Sequence, residues 1–428
     1  MMTAIRRCGM GSILLVFSST PVLARIESYL EYVHRSVARQ HADEALAQML
    51  SDAKEPFVDE ATVNPLAQAN IAFLDGLIAS QEPSAPAPSS SALIALPLLV
   101  QLVRDWSAEG EHMRNTTYRP IIDALVPFLL GRGSSSPRIL LPGSGMGRLA
   151  YSIAERLRGV RIVALDPDVH SQIAATFFLT GGDGVDSGGS GGSGGSGTED
   201  EERGSSPRVP TIPSGIHPSL HVTTNWAHSS HRLAPVTVPD VPLEVMRRVE
   251  RSSNITFAVG TLEDAGAKWL AGRDALGIDD PSNEHGAADT ATGTGFDAVA
   301  TCFVLDVLSD LRLSLRALHA MLRPTRGLWV SLGPLAYPEP HEGLIHSRGA
   351  ERASSTGVVM TAAQQLALVR SAGFELMEHR MVDGCEYNVL PHQLERTVRS
   401  CLFFMARPAG RSSMEASASG RESKHDEL

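Results

Sequence analysis

The sequence lacks several features that would place a protein in a class at once. Acidic side chains outnumber basic ones, the formal net charge is −11, and aromatic residues make up only 5% of the chain. Nucleic-acid-binding proteins usually have a basic electrostatic footprint, so this balance argues against that class. No apolar run reaches the roughly 20 residues that a membrane-spanning helix needs. The 428 residues, 43% of them hydrophobic, suffice for one large domain and an accessory one.

Cysteine is also scarce, with four in the whole chain. Cys8 belongs to an N-terminal stretch that we expect to be removed, which leaves Cys302, Cys385 and Cys401. An odd number means that at least one thiol stays unpaired within a monomer, and the sequence does not say which. No pair has metal-ligand spacing, and His228-x-x-His231 alone is a weak metal signal. The sequence therefore predicts neither a disulfide framework nor a metal centre.

Both ends of the chain are typical of targeting signals. Residues 1–24 combine two arginines, a short apolar stretch and a Val-x-Ala cleavage site, which favours a signal peptide over the first helix of the fold. A flexible tail at 409–428 ends in His-Asp-Glu-Leu, a receptor-read retrieval signal of the endoplasmic reticulum. We therefore expect a protein of the endoplasmic reticulum lumen with the retrieval receptor as a partner.

From residue 131 to 408 the apolar pattern alternates between strands and helices, which predicts an α/β domain. Alternation of this kind gives a mostly parallel sheet with helices on both faces. Residues 25–130 have helical patterns only and predict an N-terminal helical region. Two polar stretches, about 181–215 with repeated Gly-Gly-Ser and about 279–295, predict disordered insertions. The predicted strands are 139–141, 161–165, 255–259, 296–303, 328–332, 374–380 and 401–406. The predicted helices are 42–49, 67–78, 92–106, 118–130, 148–157, 169–179, 309–322 and 361–372.

The first strand runs into a glycine-rich turn that fits two cofactors. Gly145-x-Gly147-x-x-Ala150 matches the dinucleotide-binding fingerprint, and Asp166, about 20 residues on, would bind a ribose. Gly143-x-Gly145-x-Gly147 matches the denser turn of methyltransferases that bind S-adenosylmethionine. In both frames glycines let the backbone approach the ligand. The turn by itself leaves both cofactors open, together with a plain strand–helix connection.

The segments that follow favour a methyltransferase. A strand opened by Phe296-Asp297, an amphipathic helix and Met-Leu-Arg-Pro-x-x-Gly at 321–327 before the next strand form a layout typical of these enzymes. Four sequence blocks then make the resemblance specific. The chain resembles the carnosine N-methyltransferase (N2227-like) family over roughly residues 95–406, which implies a Rossmann-like class I methyltransferase sheet. The blocks are 101–110 with 118–122, 141–150, 225–228 with 238–242, and 300–306 with 332–337.

The resemblance implies S-adenosyl-L-methionine as cofactor and an imidazole as methyl acceptor, in carnosine or a related histidine-containing peptide. Arg104 would bind the methionine carboxylate, since a guanidinium can form paired hydrogen bonds. Asp166 would bind the ribose, and Asp306 would be both the catalytic residue and a contact of the substrate imidazole. The implied cofactor-binding residues are Gln101, Arg104, Gly143, Gly145, Gly147, Asp166, Thr261, Leu262 and Cys302. The implied substrate-binding residues are Asp306, Tyr337 and His341.

The chain departs from the family pattern in three places. Gly260-Thr-Leu262 stands where the family has Gly-Asp-Phe, and Tyr337-Pro338 stands where it has Tyr-His, with His341 close by. Thr397-Val-Arg-Ser400 replaces a cluster of tyrosines. Because the last two changes concern substrate recognition, the acceptor stays open. Two other functions stay open as well: an S-adenosylmethionine-binding relative without activity, and an NAD-dependent oxidoreductase.

Several candidate residues have a simpler structural interpretation. Asp306 could cap the helix that follows it, and Arg104 could form a structural ion pair with Asp105. Cys302 could be a small buried hydrophobe. His228 and His231 are not assigned to catalysis. The family leads us to expect a cytoplasmic protein as the alternative to a lumenal one, and the oligomeric state stays open, with a homodimer among the alternatives.

Overall fold

A computed structural model gives the structure of residues 27–38, 48, 51–52, 58–81, 87, 91–180, 215–271, 295–324, 326–337, 359–387 and 390–409. The signal peptide predicted at 1–24, nearly all of both predicted insertions and the tail that carries the retrieval signal lie outside these residues. The lumenal location, the retrieval receptor and the homodimer therefore stay predictions.

Helices make up the described part of the chain that precedes the sheet. Ser91 caps the third of them, since its hydroxyl accepts the N–H of Leu93 at 3.2 Å. The second and fourth begin seven residues earlier than the sequence predicts. Pro65 interrupts the helical pattern near the start of the second, and residues 111–117 of the fourth are polar apart from Met113. A short 3-10 turn at 108–110 separates the third helix from the fourth. These helices are α1 (Tyr29–Ala38), α2 (Glu60–Gln81), α3 (Ala92–Trp106) and α4 (Glu111–Gly131).

Seven strands form one mixed sheet in the order β3-β2-β1-β4-β5-β7-β6 within the described residues. The first five are parallel, and β7 runs antiparallel between β5 and β6. The order reverses between β1 and β4, and open α/β sheets bind ligands outside the carboxyl ends of the strands at such a reversal. The strands are β1 (Arg138–Pro142), β2 (Arg161–Asp166), β3 (Asn254–Val259), β4 (Ala298–Cys302), β5 (Leu328–Gly333), β6 (Phe374–Glu386) and β7 (Val398–Pro408).

Helices connect the strands and cover both faces of the sheet. The three at 229–232, 243–252 and 262–270 were not predicted, because each is short and lies beside a polar stretch. One core cluster packs α1 to α4 on one face, and a second cluster packs the last helices on the other. The predicted α/β fold with an N-terminal helical region is confirmed. The helices are α5 (Arg148–Ala154), α6 (Val169–Thr180), α7 (Ser229–Arg232), α8 (Leu243–Ser252), α9 (Leu262–Leu270), α10 (Leu311–Met321) and α11 (Ala362–Ser371).

We expect the Gly266→Ala substitution to lower the free energy of unfolding by about 1–3 kcal/mol, because α9 and α10 approach too closely for an added methyl group. A Cβ on Gly266 would lie 2.1 Å from the Cβ of Ala317. Chemical denaturation measures the change. Ala317→Gly in the same chain should restore part of the loss. Gly131→Ala is the matched control, since nothing lies within 4 Å of its Cβ position; an equal loss in the control would contradict the steric explanation.

Candidate active site

The turn between β1 and α5 holds three glycines in left-handed backbone. The φ angles of Gly143, Gly145 and Gly147 are 66°, 52° and 76°, a region that glycine enters without steric cost. Two of these positions also have no room for a side chain. A Cβ on Gly143 would lie 2.4 Å from Cγ2 of Val304, and one on Gly147 would lie 3.0 Å from Cβ of Ala175. The glycines therefore leave bare main chain at the carboxyl edge of β1.

Asp166 ties the end of β2 to this turn. Its Oδ2 accepts the N–H of Gly145 at 2.9 Å, and its Oδ1 accepts the N–H of Asp168 at 2.9 Å. The Ser144 N–H donates to the carbonyl oxygen of Leu165 at 3.2 Å. The carboxylate that the sequence assigns to a ribose is thus fixed beside the glycines, at the reversal of strand order.

Arg104, at the end of α3, reaches the same turn from the N-terminal helices. Its Nε and Nη2 donate to the two carboxylate oxygens of Asp105 at 2.7 and 2.8 Å, and Tyr118 donates its hydroxyl to Asp105 at 2.7 Å. The guanidinium carbon lies 4.6 Å from the ring centroid of Tyr387, and Nη2 lies 3.4 Å from the Cβ position of Gly145. Burial alone lowers the pKa of Arg104, but the Asp105 carboxylate raises it well above its usual value.

The structural ion pair considered for Arg104 is therefore present, and it coexists with a position at the glycine turn. The paired hydrogen bonds that the sequence analysis assigns to a ligand are made with Asp105 instead. Nη1 takes no part in that pair. The guanidinium also hydrogen-bonds the Tyr387 side chain. A ligand carboxylate would therefore approach the Nη1 edge, which is not bonded to Asp105, of a guanidinium that is already oriented and charged.

Two further arginines, Arg114 and Arg148, hydrogen-bond the main-chain carbonyl groups of Arg104 and Asp105. Arg114 donates to the carbonyl oxygen of Arg104 at 2.7 Å and to the Asp240 carboxylate at 2.7 Å. Arg148 donates to the carbonyl oxygen of Asp105 at 3.1 Å and also to Asp240. Asp240, in the loop before α8, therefore joins α4 to the start of α5, and its N–H donates to the Trp106 carbonyl oxygen at the end of α3 at 2.9 Å. These bonds give the 238–242 sequence block a structural role.

Two glutamines contact the site from neighbouring helices. Gln101, on α3, accepts the hydroxyl of Ser171 on α6 at 3.2 Å, and its contact with the cofactor stays a prediction. Gln172 was missed: its Nε2 donates to Ser144 Oγ at 3.0 Å and to the Gly145 carbonyl oxygen at 3.2 Å. The side chain of Gln172 is buried, and its Oε1 accepts no hydrogen bond within the described chain. It is an acceptor at the edge of the glycine turn.

Asp306 lies just beyond β4 and is 7% exposed. Its Oδ2 accepts the N–H of Ala336 at 3.3 Å. The helix cap considered for it is formed by Asp310 instead, which accepts the N–H of Leu313 at 3.0 Å. Burial raises the pKa of Asp306 to about 6, although its own backbone N–H and that of Ala336 lower it. Burial also raises the pKa of Tyr337, and the Asp306 charge raises it further.

Tyr387 is the second residue that sequence reasoning missed. It follows β6 and stacks on Phe303, with ring centroids 4.5 Å apart and an interplanar angle of 11°. The same ring lies against the Arg104 guanidinium. It therefore links the cation at the glycine turn to the end of β4, three residues before Asp306. Its neighbours are 84 or more positions away in the sequence, so no local signal could have identified it.

Three further predicted residues, Cys302, Thr261 and Leu262, lie at the carboxyl edge of the sheet with different roles. Cys302 is the last residue of β4. Burial raises the pKa of its thiol well above the usual value, so the thiol is uncharged. Thr261 caps α9 by accepting the N–H of Asp264 at 3.1 Å. The Leu262 side chain is buried in the second core cluster. Thr261 and Leu262 therefore have structural roles, and their contact with the cofactor stays a prediction. His341 lies outside the described residues.

The His228-x-x-His231 pair belongs to a surface cluster of rings. The centroids of His228 and His231 lie 5.1 Å apart, and His231 stacks on His392 at 4.9 Å. In the part of the chain that the structure covers, no group of three or more His, Cys, Asp or Glu side chains is arranged to hold a metal ion. The cluster joins the 225–232 loop to the loop between β6 and β7.

Comparison with known proteins identifies the family. The sequence profile described as Carnosine N-methyltransferase matches residues 85–184 and 213–409, well over half of the chain. The chain belongs to the carnosine N-methyltransferase family. The break in the match falls within the Gly/Ser-rich stretch.

Individual relatives carry the same name. The chain is 27% identical to carnosine N-methyltransferase of Schizosaccharomyces pombe over 288 residues, covering 67% of this chain and 63% of the relative. It is 24% identical to the Drosophila melanogaster protein over 310 residues, with coverage of 72% and 53%, and 24% identical to the Rattus norvegicus protein over 241 residues, with coverage of 56% and 46%. The chain thus spans about half to just under two thirds of these relatives.

Membership of the carnosine N-methyltransferase family gives the geometry a chemical interpretation. A cation and bare main chain lie at the turn after β1, and a buried carboxylate with a raised pKa lies after β4. Groups with perturbed pKa values at a strand-order reversal are typical of reaction centres. The site therefore combines a charged guanidinium and bare main chain at the glycine turn with a separate buried carboxylate after β4.

Proposed function

We propose that the protein is an S-adenosyl-L-methionine-dependent N-methyltransferase that methylates the imidazole of carnosine or of a related histidine-containing peptide. The main support for this proposal is the buried Asp306 carboxylate. Its Oδ2 accepts the N–H of Ala336 at the same edge of the sheet as the glycine turn. Family membership supports the dense Gly143-x-Gly145-x-Gly147 frame over the dinucleotide frame. Within the described chain, no helix is both long and apolar enough to cross a membrane.

The residues at the turn fit this cofactor. Arg104 offers a charged Nη1 edge for a carboxylate, and Gln172 offers an unused buried oxygen for an N–H donor. Asp166 supplies a carboxylate for ribose hydroxyls, and the glycines leave the room that side chains would fill. When bound, S-adenosylmethionine supplies an electrophilic methyl group on a sulfonium. The neutral Cys302 thiol at the end of β4 would border it without adding charge.

Asp306 acts on the acceptor ring. An imidazole has a reference pKa near 6.5, so most of it is neutral and nucleophilic at pH 7. The Asp306 carboxylate accepts the N–H of one ring nitrogen, which leaves the lone pair of the other nitrogen for attack. As that nitrogen bonds to the methyl carbon, the bond from this carbon to sulfur breaks and leaves a neutral thioether. The positive charge passes to the ring, where the carboxylate would stabilise it. The ring proton then passes to Asp306, whose pKa of about 6 is close to that of the imidazole.

We expect the full-length protein to bind S-adenosylmethionine with micromolar Kd in calorimetry, and Asp166→Ala to weaken binding at least about 100-fold, since two charged hydrogen bonds are lost. Asp123→Ala, which removes an exposed carboxylate of α4, is the matched control and should bind like wild type. Binding should be accompanied by methyl transfer to carnosine, followed by mass spectrometry.

Three other outcomes would be informative. Binding of NAD by folded protein that ignores S-adenosylmethionine would overturn the proposal in favour of an oxidoreductase. Cofactor binding without transfer to any imidazole acceptor would favour a relative without activity. Equal loss of binding in the Asp123 control would show that the Asp166 effect is not specific.

A further inference from the structure

The first residues of β7 extend beyond the end of β5, over the candidate substrate site. Gly333, the last residue of β5, pairs with Leu402, and the two strands are antiparallel. β7 continues beyond this pair to Val398, so Arg399 lies three residues past the end of β5, near where the chain runs on from Gly333 to Ala336. Ala336 is the residue whose N–H binds Asp306. β7 thus carries Arg399 past the end of β5, at the sheet edge where Ala336 binds the carboxylate that we assign to the acceptor ring.

Arg399 also lies on the appropriate face of the sheet. Side chains alternate between the faces along a strand. Cys401 and Phe403 belong to the core cluster beneath the N-terminal helices, whereas Leu402 and Phe404 belong to the opposite cluster. Arg399 has the parity of Cys401, so it shares the face from which Arg104 approaches.

Within the described residues, the acid nearest to Arg399 along β6 pairs with other side chains. Glu386, the neighbouring acid at the end of β6, is paired with His112 at 2.6 Å and lies 3.6 Å from Arg396. The Arg399 guanidinium is exposed and has no ion pair within the described part of the chain. Its charge nevertheless acts on Asp306, whose pKa it lowers. A guanidinium that is near a buried carboxylate but not bonded to it is suited to a second anion.

We propose that Arg399 binds a carboxylate of the methyl acceptor, so that the preferred acceptor is a small imidazole compound with a free carboxylate on its histidine residue. This inference rests on the proposed N-methyltransferase function. Guanidinium and carboxylate form paired, charge-assisted hydrogen bonds. The ring would lie at Asp306 and the carboxylate at Arg399. A histidine inside a protein chain, whose carboxyl group is an amide, would lose the second contact.

The test compares β-alanyl-L-histidine with its C-terminal carboxamide as methyl acceptors of the full-length protein. We expect wild type to favour the free acid by about 10- to 100-fold in kcat/KM, the range of one charge-assisted contact. Arg399→Gln should abolish this preference and leave S-adenosylmethionine affinity unchanged, whereas Arg399→Lys should retain part of it. Arg396→Gln is the matched control, because Arg396 faces Glu386, and it should keep the preference.

The outcomes separate this inference from the proposed function. Equal kcat/KM for acid and amide in wild type, or a preference that survives Arg399→Gln, would overturn the role of Arg399 and leave the methyltransferase intact. Transfer to neither compound by protein that binds S-adenosylmethionine would overturn the imidazole acceptor, and the inference with it. Calorimetric titration of both compounds into the S-adenosylhomocysteine complex repeats the comparison without turnover. Equal affinities there would also count against Arg399.

Discussion

The Asp306→Asn substitution should lower kcat for methyl transfer to carnosine by about 10²- to 10⁴-fold, the usual contribution of a positioned acid–base group. Asparagine keeps the size of the side chain and an acceptor oxygen, but it has no charge to stabilise the ring and cannot take its proton. The affinity for S-adenosylmethionine should stay within about twofold of wild type, since Asp306 makes no contact with the glycine turn. Steady-state kinetics with calorimetry on the same protein measures both quantities.

The pH profile of this variant identifies the group that is lost. In wild type both Asp306 and the acceptor imidazole must be deprotonated, so log(kcat/KM) should rise with a limiting slope of about 2 below pH 6. In Asp306→Asn only the imidazole titrates, and the slope should fall to about 1. An unchanged slope would show that Asp306 is not the titrating group of the enzyme.

Protein stability provides the control for Asp306→Asn. Because burial raises the pKa of Asp306 to about 6, the ionised carboxylate destabilises the folded state above that pH. The protonated carboxyl contributes its full stabilisation below its pKa in the unfolded state, about 4. That contribution is lost as the pH rises through its pKa in the folded state, about 6. Asp306→Asn should therefore raise the free energy of unfolding at pH 7.5 by about 1–3 kcal/mol, with little difference at pH 4. Lower stability at pH 7.5 would attribute the activity loss to damage of the fold.

The second large effect is expected at Arg104. Arg104→Met leaves the Asp105 carboxylate buried and without its cation, which should lower the free energy of unfolding by about 3–5 kcal/mol. The variant also removes the charge beside Gly145, so S-adenosylmethionine binding should be lost. Denaturant unfolding and calorimetry measure the two effects. Arg104→Lys, which keeps the charge but not the two-bond geometry, should lie between wild type and Arg104→Met in both.

A double variant separates the structural role of Arg104 from its cofactor role. Adding Asp105→Asn to Arg104→Met removes the unpaired buried charge, so much of the lost stability should return. Cofactor binding should stay absent, because no cation is restored at the turn. Recovery of binding in the double variant would show that Arg104 supports only the fold.

The local pattern of apolar residues and glycines was sufficient to predict the strands of the sheet and the glycine turn. Strands such as β1 and β5 are short apolar runs between breakers, and the glycines of the turn mark backbone that other residues adopt only at a cost. Pattern was insufficient for α9, where Thr261 caps a short helix beside a polar stretch. The choice between Arg104 as ion-pair partner and as ligand also stayed open, because it depends on which groups surround the guanidinium.

The sequence by itself determined the succession of the seven strands, the glycine turn followed by Asp166, and the family resemblance, since each depends on residues that are neighbours in the chain. Only the tertiary structure decided that Arg104 contacts Tyr387, that Asp310 rather than Asp306 caps α10, and that β7 carries Arg399 beyond the end of β5. Those relations join residues that the strand crossovers bring together from distant parts of the chain. The raised pKa of Asp306 has the same origin, because burial is a property of the packed fold and not of the side chain.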